Sequence, residues 1–137
     1  MIAGALIIIF AGLEGFREGY YAQNLRSYKA GFNPSIDRYR KMVNVMLFLI
    51  IGSILSWKVV PHLLWPQVTF WFLALCSRWF LLDTLSYLIR GLKATHIGSG
   101  ILDIWVRKMQ LNKTVLLTLK IILFLTALTL FMVIVEK

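Results

Sequence analysis

Four long apolar segments are the feature that most restricts how this chain can fold. A helix of about 20 mostly apolar residues crosses a bilayer core about 30 Å thick. Residues 114–135 contain one charge, and residues 1–20, 40–57 and 63–90 approach the same length and apolarity. The chain is 59% hydrophobic and 15% charged, against about 45–50% and about 25% in soluble domains. We therefore predict one all-α domain over residues 1–137, an integral membrane four-helix bundle.

A shorter amphipathic segment precedes the last apolar stretch. A Gly-Ser-Gly break at residues 98–100 is followed by a helical pattern over residues 101–110. This pattern places Trp105 on one side and Arg107 and Lys108 mostly on the other, as in helices that lie at a membrane surface. We expect an in-plane helix between the third and fourth spans.

The distribution of basic residues predicts the orientation of the spans. Cytoplasmic loops of membrane proteins are enriched in Lys and Arg. The two expected cytoplasmic loops hold Arg17, Arg26, Lys29, Arg38, Arg40 and Lys41, and then Arg90, Lys93, Arg107, Lys108 and Lys113. We therefore expect both termini outside and the basic loops in the cytoplasm, in a bacterial inner membrane. The net charge of +9 is then a topology signal, and we predict no nucleic-acid partner.

Several of these basic residues, together with one tryptophan, are the predicted contacts with anionic lipids of the inner leaflet. They are Arg38, Arg40, Lys41, Trp105, Arg107 and Lys108. General anchoring by positive charge is favoured over recognition of one particular lipid.

Two charged residues inside the apolar segments lie at the same predicted depth. At about 1.5 Å per residue, Glu14 is about 20 Å from the outer end of the first span, and Arg78 is about 22 Å from that of the third. Ionisable residues in a membrane usually face the bundle interior and pair with one another. We therefore predict a buried Glu14–Arg78 ion pair.

Further polar residues extend this pair into a predicted cluster at the cytoplasmic end of the spans. Its members are Glu14, Arg17, Glu18, Arg78, Asp83 and Tyr87. Asp83 is about 140° around a regular helix from Arg78, so Arg17 or Arg90 is its expected partner. Lys120, about 9 Å inside its span, is expected to extend its ammonium group to the interface. A salt-bridged structural cluster is favoured over a site that handles protons or substrate.

The sequence carries no recognised catalytic or cofactor motif. Cys76 is the single cysteine, which excludes a disulfide within the chain and a cysteine-rich metal centre. The predicted topology separates His62, outside, from His96, in the cytoplasm, so they cannot share a metal ion within a monomer. The common phosphate, zinc and nucleophile signatures are absent. We predict no cofactor and no metal site, and we favour a non-enzymatic protein.

The chain resembles the small multidrug-resistance exporters in having a glutamate in the first of four short spans. In that family such a residue, here Glu14, exchanges protons for cationic drugs. The stretch from Trp65 to Tyr87 looks like the second helix of those exporters, but here it falls in the third span. No Gly-rich third helix follows, and the basic loops are too long for that family, so these departures argue against membership.

A second resemblance is to small multi-pass membrane proteins of Bacteroidota and their phages, a group without a known activity. The shared features are Arg78, Asp83, Arg90 with Gly91, Gly98 with Ser99, and Asp103. The chain departs from the group where an Asn is expected between Asp83 and Arg90. The resemblance implies a shared scaffold and no biochemical activity.

The favoured function is a non-enzymatic subunit of an oligomeric or larger membrane assembly. Four short helices leave little room for an internal pathway, and the aromatic third span would offer surface to partners. The alternative is a small transporter or oligomeric pore, holin-like or coupled to ions or protons, that uses Glu14 and Arg78. A membrane enzyme is the third possibility.

Overall fold

The structure, a computed structural model, describes residues 1–27, 34–59, 64–93, 108–109 and 112–135. Its helices are α1 Ile2–Ser27, α2 Pro34–Val59, α3 Leu64–Ser77, a π-helical segment Arg78–Leu82, α4 Asp83–Ile89 and α5 Lys113–Val135. These described parts contain no strand, so the all-α prediction is confirmed for them. The predicted in-plane helix lies outside the described residues, except for Lys108 and Met109, which are exposed.

Three of the described helical stretches are long and apolar enough to cross a membrane. They are Arg38–Lys58, Leu64–Ile89 and Lys113–Val135. The second of these is one continuous rod made of α3, the π-helical segment and α4, which we call the central rod. Its end at Ile89 is followed by Gly91 with a left-handed φ of 68°. The amides of Gly91 and Leu92 return to Leu88 O and Tyr87 O, as in a Schellman motif.

Pairs of contacting side chains give the direction of each helix. In α3 and α5 the Phe70 ring lies 6.1 Å from the Phe131 ring, and in the π-helical segment Phe80 lies 5.5 Å from Phe124, so α5 runs antiparallel to the rod. In α1, Phe10 lies 6.3 Å from Phe48 of α2. Further along α1, Glu18 contacts Asn44, which precedes Phe48, so α2 is antiparallel to α1. In α2 and the central rod, Phe48 lies near Arg78 and Gly52 near Trp71, so these two are also antiparallel and the helices alternate in direction along the chain.

The chain buries polar side chains while many large apolar ones face outward. Its core comprises Ile7, Phe48, Phe70, Leu73, Ala74, Cys76, Ala127 and Phe131. Buried with these are Glu14, Asn44, Ser56, Thr69, Ser77, Ser86 and Lys120. Side chains such as Ile50, Ile54 and Ile122 are exposed instead. Soluble proteins have mostly the opposite distribution, so this arrangement is compatible with a protein embedded in a membrane.

Aromatic residues of the central rod are mostly used inside the chain. Phe70 is fully buried, and Phe80 stacks on Phe124 of α5. Trp71 lies against Gly52 of α2, where a Cβ would be 2.7 Å from the indole ring. Trp65 is the exception, at 68% exposed. The remaining Trp and Phe side chains of the rod are half-buried, and the expectation that this span offers aromatic surface to partners stays a prediction.

Close packing between α1 and the central rod depends on small residues four positions apart, Ala11, Gly15 and Gly19. A Cβ at Gly15 would lie 2.8 Å from both Leu81 O and Leu82 Cα, and one at Gly19 would lie 2.7 Å from Ile89 Cβ. Such stripes allow helix backbones to approach in membranes, where van der Waals packing drives association. The backbone of α1 is thus in direct contact with the π-helical segment.

Gly15→Ala is predicted to destabilise the protein much more than Gly12→Ala. The new methyl group at Gly15 meets backbone atoms of the rod, and overpacking of this kind costs about 1–3 kcal/mol. At Gly12 the nearest atom is Leu85 Cδ1 at 3.8 Å, an ordinary contact. Thermal unfolding in detergent measures the difference. Equal melting temperatures for the two variants would contradict the close contact.

Candidate functional site

Glu14 of α1 and Arg78 of the central rod form a two-point ion pair. Arg78 Nε donates to Glu14 Oε2 at 3.0 Å, and Arg78 Nη2 donates to Glu14 Oε1 at 2.7 Å. The Glu14 side chain is 2% exposed and that of Arg78 is 25% exposed. The guanidinium also lies 5.1 Å from the centre of the Phe48 ring of α2. Paired N–H donors on one carboxylate form one of the strongest side-chain interactions in proteins.

The local backbone brings these two side chains together. Arg78 is the first residue of the π-helical segment, and the neighbour of Glu14 is Gly15, which lets α1 approach that segment. Upstream, the Ser77 hydroxyl donates to Leu73 O at 2.7 Å, a bond that often bends helices. A π turn contains about one extra residue, so the estimate of 140° between Arg78 and Asp83 does not apply across it.

Asp83 forms a second buried ion pair, with Lys120 of α5. The Lys120 ammonium group donates to Asp83 Oδ2 at 2.6 Å, and it lies 4.9 Å from the centre of the Trp79 ring. The Lys120 side chain is 4% exposed. The expectation that Lys120 extends to the interface is therefore wrong, because a carboxylate at the same level neutralises it inside the chain. This pair also replaces the expected bonds from Asp83 to Arg17 or Arg90.

A third polar group connects α1 to α2 around Asn44. Its Nδ2 donates to Glu18 Oε1 at 2.6 Å, and its Oδ1 accepts a hydrogen bond from Arg17 Nη2. Arg40 donates to the same oxygen of Glu18, and its guanidinium lies 3.7 Å from the centre of the Tyr21 ring. Arg40 was expected at the membrane surface but packs against α1, whereas Arg38 and Lys41 are exposed.

The predicted cluster is thus three separate groups, each joining a different pair of elements. Glu14 and Arg78 are brought together, while Arg17 and Glu18 contact α2 and Asp83 contacts α5. Tyr87 is buried in α4, at 5% exposed. Of the predicted lipid contacts, Trp105 and Arg107 lie outside the described residues, and Lys108 is exposed.

The sequence analysis did not name Asn44 as a site residue, and it assigned Lys120 to the interface. The depth of Lys120 along its helix indicates its pairing with Asp83. Lys120 is about 10 Å along its helix from Lys113, and Asp83 is about 9 Å from Ile89, so both lie at one level. Asn44 lies one helical turn after Arg40, which places both on one face of α2.

The described site consists of ion pairs between carboxylates and cationic side chains. In the described parts of the chain, the side-chain carboxylates of Glu14, Glu18 and Asp83 each accept a bond from a cationic side chain. The described residues contain no group of three His, Cys, Asp or Glu side chains that could hold a metal ion. Carboxylates already paired in this way have little capacity left for a cationic substrate. The described ion pairs join α1 to the rod, α1 to α2, and the rod to α5.

Comparison with known proteins identifies no relative. The chain matches no protein-family model, and no curated protein or solved structure is significantly similar to it.

Arg78→Leu is predicted to lower the yield and thermal stability of the protein strongly. The substitution leaves the Glu14 carboxylate buried without its partner, and breaking a buried pair in this way costs about 3–5 kcal/mol. Adding Glu14→Gln removes the stranded charge and should restore much of the loss. Membrane-fraction yield and melting temperature in detergent measure both effects.

The double variant is the decisive control for this prediction. A double variant no more stable than Arg78→Leu alone would show that the charge of Glu14 is not what Arg78 neutralises. A single variant as stable as the original protein would contradict the ion pair itself.

Proposed function

We propose that this chain is a four-span integral membrane protein and a non-enzymatic subunit of an oligomeric or larger membrane assembly. In this proposal α1 is the remaining span, beside the three apolar stretches already described. Its support is the pairing of Glu14 with Arg78 and of Glu18 with Arg40, which reduces the cost of placing α1 in lipid. The alternating helix directions suit both termini outside and the basic loops in the cytoplasm of a bacterial inner membrane.

The observation that carries the subunit role is an exposed face of α5. This α5 face consists of Val115, Thr118, Ile122, Leu125, Thr129 and Met132, all of them exposed. Their spacing alternates three and four residues, as in the seam of two helices that pack at a small left-handed angle. The α5 face is opposite the side that packs on the central rod through Leu116, Lys120, Ala127 and Phe131.

The α5 face is suited to helix packing inside a bilayer. The hydroxyls of Thr118 and Thr129 donate to Thr114 O and Leu125 O of their own helix, at 3.0 Å and 2.9 Å. These two residues therefore present a short side chain with a satisfied polar group. Membrane helices associate mostly at about +20°, the angle of coiled coils, and small side chains permit close approach. This supports a second membrane helix as the partner.

A transporter or pore has less support than a subunit. Its polar pathway was expected to use Glu14 and Arg78, and these two side chains satisfy each other within one chain. The resemblance to small membrane proteins of Bacteroidota and their phages stays a prediction. It suggests a shared scaffold, in which Arg78 and Asp83 would serve as the points that attach neighbouring helices.

Cysteine cross-linking tests the α5 face. In a Cys76→Ser background, Ile122→Cys is predicted to form a disulfide-linked dimer on mild oxidation in membranes if the partner on this face is a second copy, which would bring its own introduced thiol to this position. Cys76 is the single cysteine of the chain and is buried, so its removal leaves the new thiol as the only one. Native mass spectrometry of the uncross-linked protein gives the stoichiometry, and a second copy or a foreign chain would each support the subunit role.

Leu130→Cys is the matched control. Leu130 is also exposed on α5 but lies about 80° around the helix from Ile122, away from the seam. Equal cross-linking of the two variants would indicate random collision. A strictly monomeric protein without cross-linking at Ile122 would overturn the subunit proposal.

Fusions to the chain termini test the proposed topology. Alkaline phosphatase, which is active only outside the inner membrane, is predicted to be active when fused to the C-terminus. A fluorescent protein that folds only in the cytoplasm should give no fluorescence when it is fused at the same position, because it would be exported unfolded. The reverse pattern would contradict the orientation expected from the basic residues.

A further inference from the structure

An open groove of about 360 Å³ lies between α1 and α2, beside the polar group around Asn44. Its walls include Arg17, Tyr21, Tyr39, Arg40, Val43 and Leu47. We infer that this groove binds one anionic phospholipid, whose phosphate is held by Arg17 with Arg40 and whose acyl chain lies along Val43 and Leu47. The inference rests on the membrane embedding proposed above and adds a defined lipid site to it.

Arg17 supplies the charge for this site. Its described acceptor is the side-chain carbonyl of Asn44, a neutral group, so no described carboxylate neutralises its guanidinium. The neighbouring Glu18 carboxylate is matched by Arg40. One positive charge therefore remains at the groove, on a side chain that is exposed. Guanidinium groups bind phosphate oxygens through paired N–H donors.

The groove has a polar end and an apolar end, as a phospholipid does. Tyr39 stands at the polar end, 71% exposed, and tyrosine is typical of the headgroup level of membrane proteins. Val43 and Leu47 follow at one-turn intervals, so the groove wall extends about 12 Å along α2 from Tyr39 to Leu47. A free phosphate ion would leave this apolar part empty, which favours a lipid as the occupant.

Lipid retention in native mass spectrometry tests the site. The full-length protein is purified in a mild detergent and titrated with phosphatidylglycerol or with phosphatidylcholine, which carries the same phosphate with a compensating cation. We expect one phosphatidylglycerol to bind per chain, with weaker retention of phosphatidylcholine. Arg17→Gln should reduce the affinity for phosphatidylglycerol at least about tenfold, because it removes a charge-assisted contact with the phosphate.

Two further variants keep the test falsifiable. Arg38→Gln is the matched control, because Arg38 is an exposed arginine of the same region that does not line the groove. It should leave the affinity unchanged. Leu47→Trp fills the apolar end without changing the charge and should displace the lipid, and a circular dichroism spectrum and melting temperature like those of the original protein verify its fold.

The outcomes separate a defined site from diffuse attraction. Equal losses for Arg17→Gln and Arg38→Gln would overturn the proposal, as would unchanged binding by a folded Leu47→Trp variant. Equal retention of the two lipids would also overturn it. Because lipid binding is counted per chain, a failure here leaves the α5 cross-linking result intact, and the converse also holds.

Discussion

The ion pair between Glu14 and Arg78 is the constraint on which the other contacts of α1 depend. An unpaired Glu14 carboxylate at this buried position would be costly, and the pair reduces that cost while fixing the level of α1 against the central rod. The next residue, Gly15, then meets the backbone of the π-helical segment. The ion pair at Glu14 and the close packing at Gly15 thus lie next to each other in the chain. A substitution at either residue therefore alters the environment of the other.

The helices α2 and α5 are attached to α1 and the central rod in the same way, through a polar contact. The α2 helix is held by the bonds of Arg40 and Asn44 to Glu18, and α5 is held by the bond of Lys120 to Asp83. Each of these polar contacts is accompanied by aromatic packing further along the helix, Phe48 on Phe10 for α2 and Phe131 on Phe70 for α5. The hydrophobic effect does not drive helices together in lipid, so specific polar and van der Waals contacts must determine which faces meet.

The sequence predicts the all-helical fold and the level of the Glu14–Arg78 pair because both follow from lengths along a helix. It does not predict which of several cations a carboxylate selects. Asp83 pairs with Lys120 and not with Arg17 or Arg90, a choice that depends on which helix packs against the rod. The Gly15 and Gly19 spacing is visible in the sequence and indicates close helix packing, but it does not say which helix approaches. The π-helical segment has no comparable signal, because it reflects the packing and bonding around Arg78.

Because the described carboxylates are paired within the chain, the partners proposed above would have to be recognised by other means. A protein with an unpaired buried charge can bind a complementary charge on another subunit, but here such pairs are already made internally. The described outer surface offers shape and apolar contact, as on the α5 face, and exposed positive charge, which includes Arg17 and Arg38. Helices in lipid associate through shape and apolar contact, and positive charge attracts anionic headgroups. For the described part of the chain, the internal pairing of carboxylates therefore favours the two modes of recognition proposed above, helix packing and lipid binding.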